Sequence, residues 1–377
     1  MPALNDERAL FARVAPDGDS PLRAKETDSM GRISQAGDLP AGPIEGDNGP
    51  QPIERNLGLD LVRVTETAAM AAARWQGRGD KDAADKAAVD GMRLHLSTIE
   101  LDGIVVIGEG EKDNAPMLYN GERVGTGTGM EVDVAVDPVD GTRLTASGMP
   151  GAIAVIALAE GHGTMYAPGS LVYMDKIAVG PEAAGQIDIE APVAHNLAQV
   201  AKAKGHSVAD LRVVILDRPR NQAYIDAVRE AGARIKLIGD GDVAASIACA
   251  RPDTDIDMLL GIGGSPEAVL SAAALACMDG EIQCKLWPRD DSEVQIAHEE
   301  GMDLDQVLGT SDLVGSDNVF FAATGVTGGE FLRGVDFYGG GCATHSVIMR
   351  SRTGSIRYMD AFHNLEKLRK ISAAVID

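Results

Sequence analysis

The chain has 377 residues, of which 45 % are hydrophobic but only 4 % aromatic, and its formal net charge is −23. That length supports one large domain or two smaller ones, with a core resting on Ala, Val, Ile and Leu. The charge argues against nucleic acid or an anionic membrane as partner, and any phosphate-binding site must gather positive charge locally, for which metal ions serve well.

Four cysteines, Cys249, Cys277, Cys284 and Cys342, show no C-x-x-C spacing and read as reduced thiols of a cytoplasmic protein. The start, MPALNDERALF, lacks a basic-then-apolar signal pattern, and the longest clean apolar run, Ala152–Ala159, is only strand-length. No membrane segment is expected.

Residues 1–52 are rich in Gly, Pro, Asp and Ser and read as a disordered tail, with at most a short helix near Asp6–Val14. Residues 53–377 then form the folded part, with two halves that both mix strands and helices. Leu57, Leu61, Val64, Ala68, Ala71 and Trp75 step by four and three, which predicts a helix ended by Gly77 and Gly79. A second helix, Lys81–Ser97, carries Val89, Met92, Leu96 and Ile99 on one stripe. Extending that stripe back one turn reaches Asp85, either a surface cap or a carboxylate needing a partner. Lys81, four residues earlier, is its candidate ion-pair partner or a phosphate ligand.

A strand at Gly103–Ile107 delivers Glu109 to a glycine-flanked turn, G108-E-G-E-K-D-N-A-P-M-L-Y119. The next strand, within Glu131–Gly148, sets Val132, Val134 and Val136 on one face and Asp133, Ala135 and Asp137 on the other. Pro138 and Gly141 are expected to stop it, with Thr142 in a polar turn. Asp137 and Asp140 therefore share one tip. Carboxylates that close repel unless a cation lies between them, and Mg²⁺ or Mn²⁺ suits such oxygen ligands. The bland alternative is a strand end capped by an Asx turn.

Further strands are expected at Ala152–Ala159, Tyr173–Val179, Val213–Asp217, Arg234–Ile238 and Asp257–Ile262, with helices at Asn196–Lys204, Gln222–Ala231 and Val243–Ala250. Three strand-to-helix junctions are polar: D217-R-P-R220, G239-D-G-D242 and G261-I-G-G-S-P-E267. In the last, Pro266 suits the first helical position, and Gly263 and Gly264 would let backbone N–H groups face an anion. Glu267 would lie in the first turn of the helix Ala268–Met278, where it also offsets the helix dipole.

Taken as an ordered set with W75-Q-G-R-G-D-K81, A115-P-M-L-Y119-N-G-E and D137-P-V-D-G-T142, these motifs closely resemble the class II fructose-1,6-bisphosphatases of the lithium-sensitive sugar and inositol phosphatase superfamily. The resemblance runs from about residue 55 to the C-terminus. It implies an α/β fold layered α-β-α-β-α with mixed sheets, and hydrolysis of the 1-phosphate of fructose 1,6-bisphosphate by metal-activated water, without a phosphoenzyme. It implies metal ligation by Asp85, Glu109, Asp137, Asp140 and Glu267, holding two or more Mg²⁺ or Mn²⁺ ions. Thr142 would hold the attacking water and the phosphate, with Lys81 also catalytic. Tyr173 and the turn Arg218, Pro219, Arg220 would bind the remote 6-phosphate. Asp140 and Gly141, the segment Asp240, Gly241, Asp242, and Gly264 would meet the substrate.

Asp140 and Arg218 stand where some family members have Glu and Lys, keeping charge but changing reach. Activity on sedoheptulose 1,7-bisphosphate, an inositol monophosphatase-like or broader sugar phosphatase, and a non-catalytic sugar-phosphate sensor are the other readings. The Arg218–Arg220 turn argues against a monophosphatase, and Thr142 against a sensor. A sugar bisphosphate is the expected small-molecule partner, and a homo-oligomer, dimer or tetramer, the expected assembly.

Overall fold

The computed structural model of the protein describes residues 57–110 and 117–370. The expected N-terminal tail, and residues 111–116 of the acidic turn, lie outside the described residues. Helix α1 (Gly58–Ala73) buries Leu61, Val64 and Ala68 as its stripe predicts. Helix α2 (Lys81–Leu96) follows, capped by Asp80, whose side chain accepts from the Ala83 N–H at 2.9 Å. Asp85 is therefore not the cap.

Strands β1 (Leu101–Ile107), β2 (Arg123–Val124) and β3 (Met130–Asp140) lead into the short helix α3 (Thr142–Ser147). Then come β4 (Ile153–Glu160), β5 (Tyr173–Val179), α4 (Val193–Lys204), β6 (Arg212–Leu216), α5 (Gln222–Glu230) and β7 (Arg234–Ile238). Next are α6 (Asp242–Cys249), β8 (Met258–Gly264), α7 (Ser265–Ala276), β9 (Glu281–Leu286), α8 (Asp291–Glu299), β10 (Leu308–Gly309) and α9 (Thr310–Leu313). The described chain closes with β11 (Val319–Gly325), β12 (Asp336–Tyr338), β13 (Gly341–Arg350), β14 (Ser355–Asn364) and α10 (Leu365–Arg369).

Two mixed sheets result. One has eight strands in the order β12-β13-β11-β4-β3-β1-β2, with β14 paired along β13; the other has six, β10-β9-β5-β8-β6-β7. The period of two along each strand decides the layering. In β4, Ala154, Ile156 and Leu158 pack with Leu61 and Val64 of α1 and Met92 of α2. Their alternates Ile153, Val155 and Ala157 pack inward with Val243 and Ile247 of α6 and Val269 of α7. The six-stranded sheet covers that inner layer from the other side and turns Ile177, Val213 and Ile215 toward Leu197 of α4 and Ile225 of α5. The layers are thus α1/α2, sheet, α6/α7, sheet, α4/α5, the α-β-α-β-α order expected.

Several expectations change in detail. β3 does not stop at Pro138: its register against β4 slips between Asp137 and Asp140, and it continues through that bulge to Asp140. A bulge adds a residue and re-aims side chains, so Asp137 and Asp140 need not point alike. The stop is Gly141 at φ +97°, and Thr142 begins α3 and is not part of a free turn. On the other face of β3, Asp133 is buried and accepts from the N–H groups of Thr164 (2.6 Å) and Met165 (2.9 Å). Helix α7 begins at Ser265, so Pro266 is its second residue, and Gly263 and Gly264 belong to β8, opposite Met174 and Tyr173. All four cysteines are free and buried. Among the described residues no helix is long and apolar enough to cross a membrane.

Candidate active site

The ends of β3, β6, β7 and β8 open into one cavity of about 560 Å³. Asp140, Thr142, Tyr173, Arg218, Arg220, Asp240, Gly241, Asp242, Gly264 and Glu267 all line it. This agrees with the tendency of α/β sheets to bind ligands at strand ends. Gly141, at the bend behind Thr142, and the exposed Pro219 do not line it.

Acids gather at and beside this lining. Burial raises the pKa of Asp137 well above the usual range, and the charges of Asp140, Glu267, Glu109 and Asp85 raise it further. Asp140 is raised likewise by burial, then by Asp242, Glu267 and Asp240. Glu109 is pushed up to about 8 by burial, with Asp85 and Glu267 adding to it. Burial also raises Glu267 and Asp85. Four separate elements (α2, the turn after β1, β3 and α7) therefore bring five carboxylates near enough to oppose one another's ionisation.

Local structure holds them there. Asp137 Oδ1 accepts from the Val139 N–H at 3.0 Å, so the Asx turn is present as well, in the same residue that meets the acid cluster. Glu267 folds back over Gly264, where a Cβ would overlap its Oε2. Two oxygens, Asp140 Oδ2 and Glu267 Oε2, are buried with no hydrogen-bond partner. Orphaned, desolvated carboxylate oxygens of this kind are costly. They fit hard divalent cations, which take all-oxygen ligand sets. Among the described residues, however, no three such side chains are gathered closely enough to hold an ion as they stand. The donor chemistry fits such ions.

The lining also carries positive charge. Arg220 stacks its guanidinium on the Tyr173 ring at 4.3 Å from the centroid and donates from Nε to the Ile262 carbonyl at 3.0 Å. Tyr173 is in turn wedged edge-on against Trp287, with centroids 6.2 Å apart. Arg218 reaches Asp240 at 3.6 Å. Lys81 does not line the cavity, although its charge still acts on Asp85 against the rise that burial causes. Its partner is Asp82 at 2.9 Å, not Asp85, and its side chain is 60 % exposed. At the first position of a helix its long stem swings outward to the nearer carboxylate.

Sequence reasoning passed over two residues here. Arg143 follows Thr142 and lines the cavity, where burial raises the pKa of Asp240 and the charges of Arg218 and Arg143 act against that rise. An arginine directly after D-x-x-D-G-T was the available signal. Lys176 lies buried behind Asp242; a lysine inside the apolar strand Tyr173–Val179 was visible but had no assigned use.

Five alternating layers, with acids and arginines lining one cavity, are those of the sugar and inositol phosphatase fold. Residues 55–363 match the family described as bacterial fructose-1,6-bisphosphatase, glpX-encoded. The chain is similar to fructose-1,6-bisphosphatase 1 class 2 of Escherichia coli strain K12, 44 % identical over 328 residues, 84 % of this chain and 97 % of that protein. It is similar to the same extent, 44 % over 328 residues, to fructose-1,6-bisphosphatase class 2 of Shigella flexneri. The chain belongs to the class II, glpX-encoded fructose-1,6-bisphosphatase family.

Proposed function

We propose that the protein hydrolyses the 1-phosphate of fructose 1,6-bisphosphate, giving fructose 6-phosphate and phosphate, as a phosphoric monoester hydrolase of carbohydrate metabolism. The observation that carries the reading is one cavity lined by both acids and guanidinium groups. A monophosphate needs acids and cations for a single phosphate, whereas this lining adds Tyr173, Arg218 and Arg220, positive charge enough for a second.

Asp85, Glu109, Asp137, Asp140 and Glu267 would hold the divalent cations, Mg²⁺ or Mn²⁺, two or more per site. When bound, such ions offset the charge of a phosphate dianion and lower the pKa of water. Thr142 would orient the attacking water with its hydroxyl, since it opens α3 directly beyond the Asp140 tip. Arg218 and Arg220 would pair with the 6-phosphate, the geometry that suits guanidinium to phosphate. Held there, the sugar presents its 1-phosphate to the acids by proximity. Asp240 and Asp242 would accept from sugar hydroxyls, and the Gly264 backbone would approach the substrate.

A cytoplasmic setting is supported by the four free cysteines. A homo-oligomer is supported by β14, which leaves Tyr358 46 % and Phe362 78 % exposed. The direct test is phosphate release from fructose 1,6-bisphosphate with and without added Mg²⁺ or Mn²⁺. Metal-dependent release is expected; full turnover after exhaustive chelation would overturn the site as drawn.

A further inference from the structure

β5 lies inside the six-stranded sheet, between β8 and β9. Its residues Met174 and Ala178 face the inner core with Val243 of α6 and Val269 of α7. Lys176 falls between them in the same alternation, so a charge occupies an apolar row. Its side chain is 1 % exposed, and among the described residues no other lysine is buried. Such a charge persists only with a partner. That partner is Asp242, with Lys176 Nζ 2.9 Å from Oδ2.

The neighbouring strand is shaped around the pair. Gly263 of β8 sits opposite Met174, and a Cβ there would overlap Asp242 Oδ2 and come within 2.9 Å of Lys176 Nζ. Asp242 lines the substrate cavity, whereas Lys176 does not. The ammonium therefore stands behind the wall, out of reach of a phosphate. Its charge also acts on Asp140 and Glu267, the acids that flank Asp242.

We infer that Lys176 is a positioning residue, which fixes Asp242 through their buried ion pair in the orientation that accepts a sugar hydroxyl. This rests on the reading of Asp242 as a sugar-binding carboxylate. Asp140 and Glu267 repel Asp242, and Lys176 is the attraction that keeps it in place. An arginine keeps the charge; a methionine fills the same space without it.

The test compares Lys176→Met, Lys176→Arg, Asp242→Asn and the double variant Lys176→Met/Asp242→Asn. Steady-state kinetics on fructose 1,6-bisphosphate and calorimetric affinity for fructose 6-phosphate are the readouts. Asp242→Asn and Lys176→Met should each raise KM and weaken product binding by about tenfold, with a smaller effect on kcat. Lys176→Arg should recover most of the loss. The double variant should be no worse than Asp242→Asn alone, because a residue acting only through Asp242 has nothing left to position. It also removes both buried charges together, so it keeps the comparison open if Lys176→Met does not fold. Losses that add in the double variant would overturn the inference. So would a wild-type KM in Lys176→Met beside a raised one in Asp242→Asn. An unchanged KM in Asp242→Asn removes instead the sugar-binding reading, and the inference with it.

Discussion

On the proposed reading Thr142 serves the reacting phosphate and Arg220 the remote one, and kinetics can tell them apart. An oriented hydroxyl acts mainly in the transition state, so Thr142→Ala should cut kcat by about two to four decades with little change in KM. Thr142→Ser keeps the hydroxyl and should retain part of the activity. Near-wild-type kcat in both variants would make Thr142 a helix-start residue only. Arg220 is already oriented by its stack on Tyr173 and its bond to Ile262, so little ordering remains to be done on binding. A charged hydrogen bond contributes about 1.5–3 kcal/mol, so Arg220→Ala should raise KM for fructose 1,6-bisphosphate by roughly one to two decades. Hydrolysis of p-nitrophenyl phosphate, which has no second phosphate, should suffer much less. Equal losses on both substrates would place Arg220 with the reacting phosphate. Arg220→Lys should behave more like Ala than like Arg, because the planar fork, the stack and the carbonyl bond are lost together.

Element ends decide where the acids sit. β3 reaches Asp140 only through its bulge, and α7 starts where Glu267 can fold back over Gly264. Gly264→Ala is therefore a change to an element junction more than to a side chain. Its Cβ would overlap Glu267 Oε2 and displace that carboxylate. The expected result is about a tenfold higher Mn²⁺ concentration for half-maximal activity, with KM for substrate at saturating metal changed less. Unchanged metal activation would remove Glu267 from the ligand set.

Across the whole molecule the acid cluster links metal, pH and stability. Carboxylates such as Glu109, raised to about 8 in the folded protein, bind more protons folded than unfolded. Their charged forms oppose folding, so without metal their contribution to stability is largest at low pH and is lost as pH rises through the raised folded value. In chelator, the melting temperature should thus rise as pH falls from about 8 toward 5.5, and Glu109→Gln should weaken that dependence. Added Mn²⁺ should stabilise more at pH 8 than at pH 5.5, because protons compete for the same oxygens. A melting temperature in chelator that falls over that pH range, in wild type and Glu109→Gln alike, would show that the acids do not oppose one another as described.

Much of this was local and so legible in the chain. Apolar stripes located α1 and α2 because burial along a helix follows a fixed period of 3.6. D-P-V-D-G-T, D-R-P-R and G-D-G-D marked junctions because Asp, Pro and Gly have their own backbone chemistry. The order of those motifs carried the family. What the sequence could not settle depends on contacts that only the folded chain decides. Whether Lys81 pairs with Asp85 or Asp82 turns on which carboxylate its exposed stem reaches. Whether β3 ends at Pro138 turns on the register of β4 beside it. The buried pair Lys176–Asp242 spans 66 residues and needs the bare backbone of Gly263 on a third segment. Local periodicity sets which face a residue takes, but only the packed layers decide which charge it meets there, because pairing energy depends on distances that the fold alone creates.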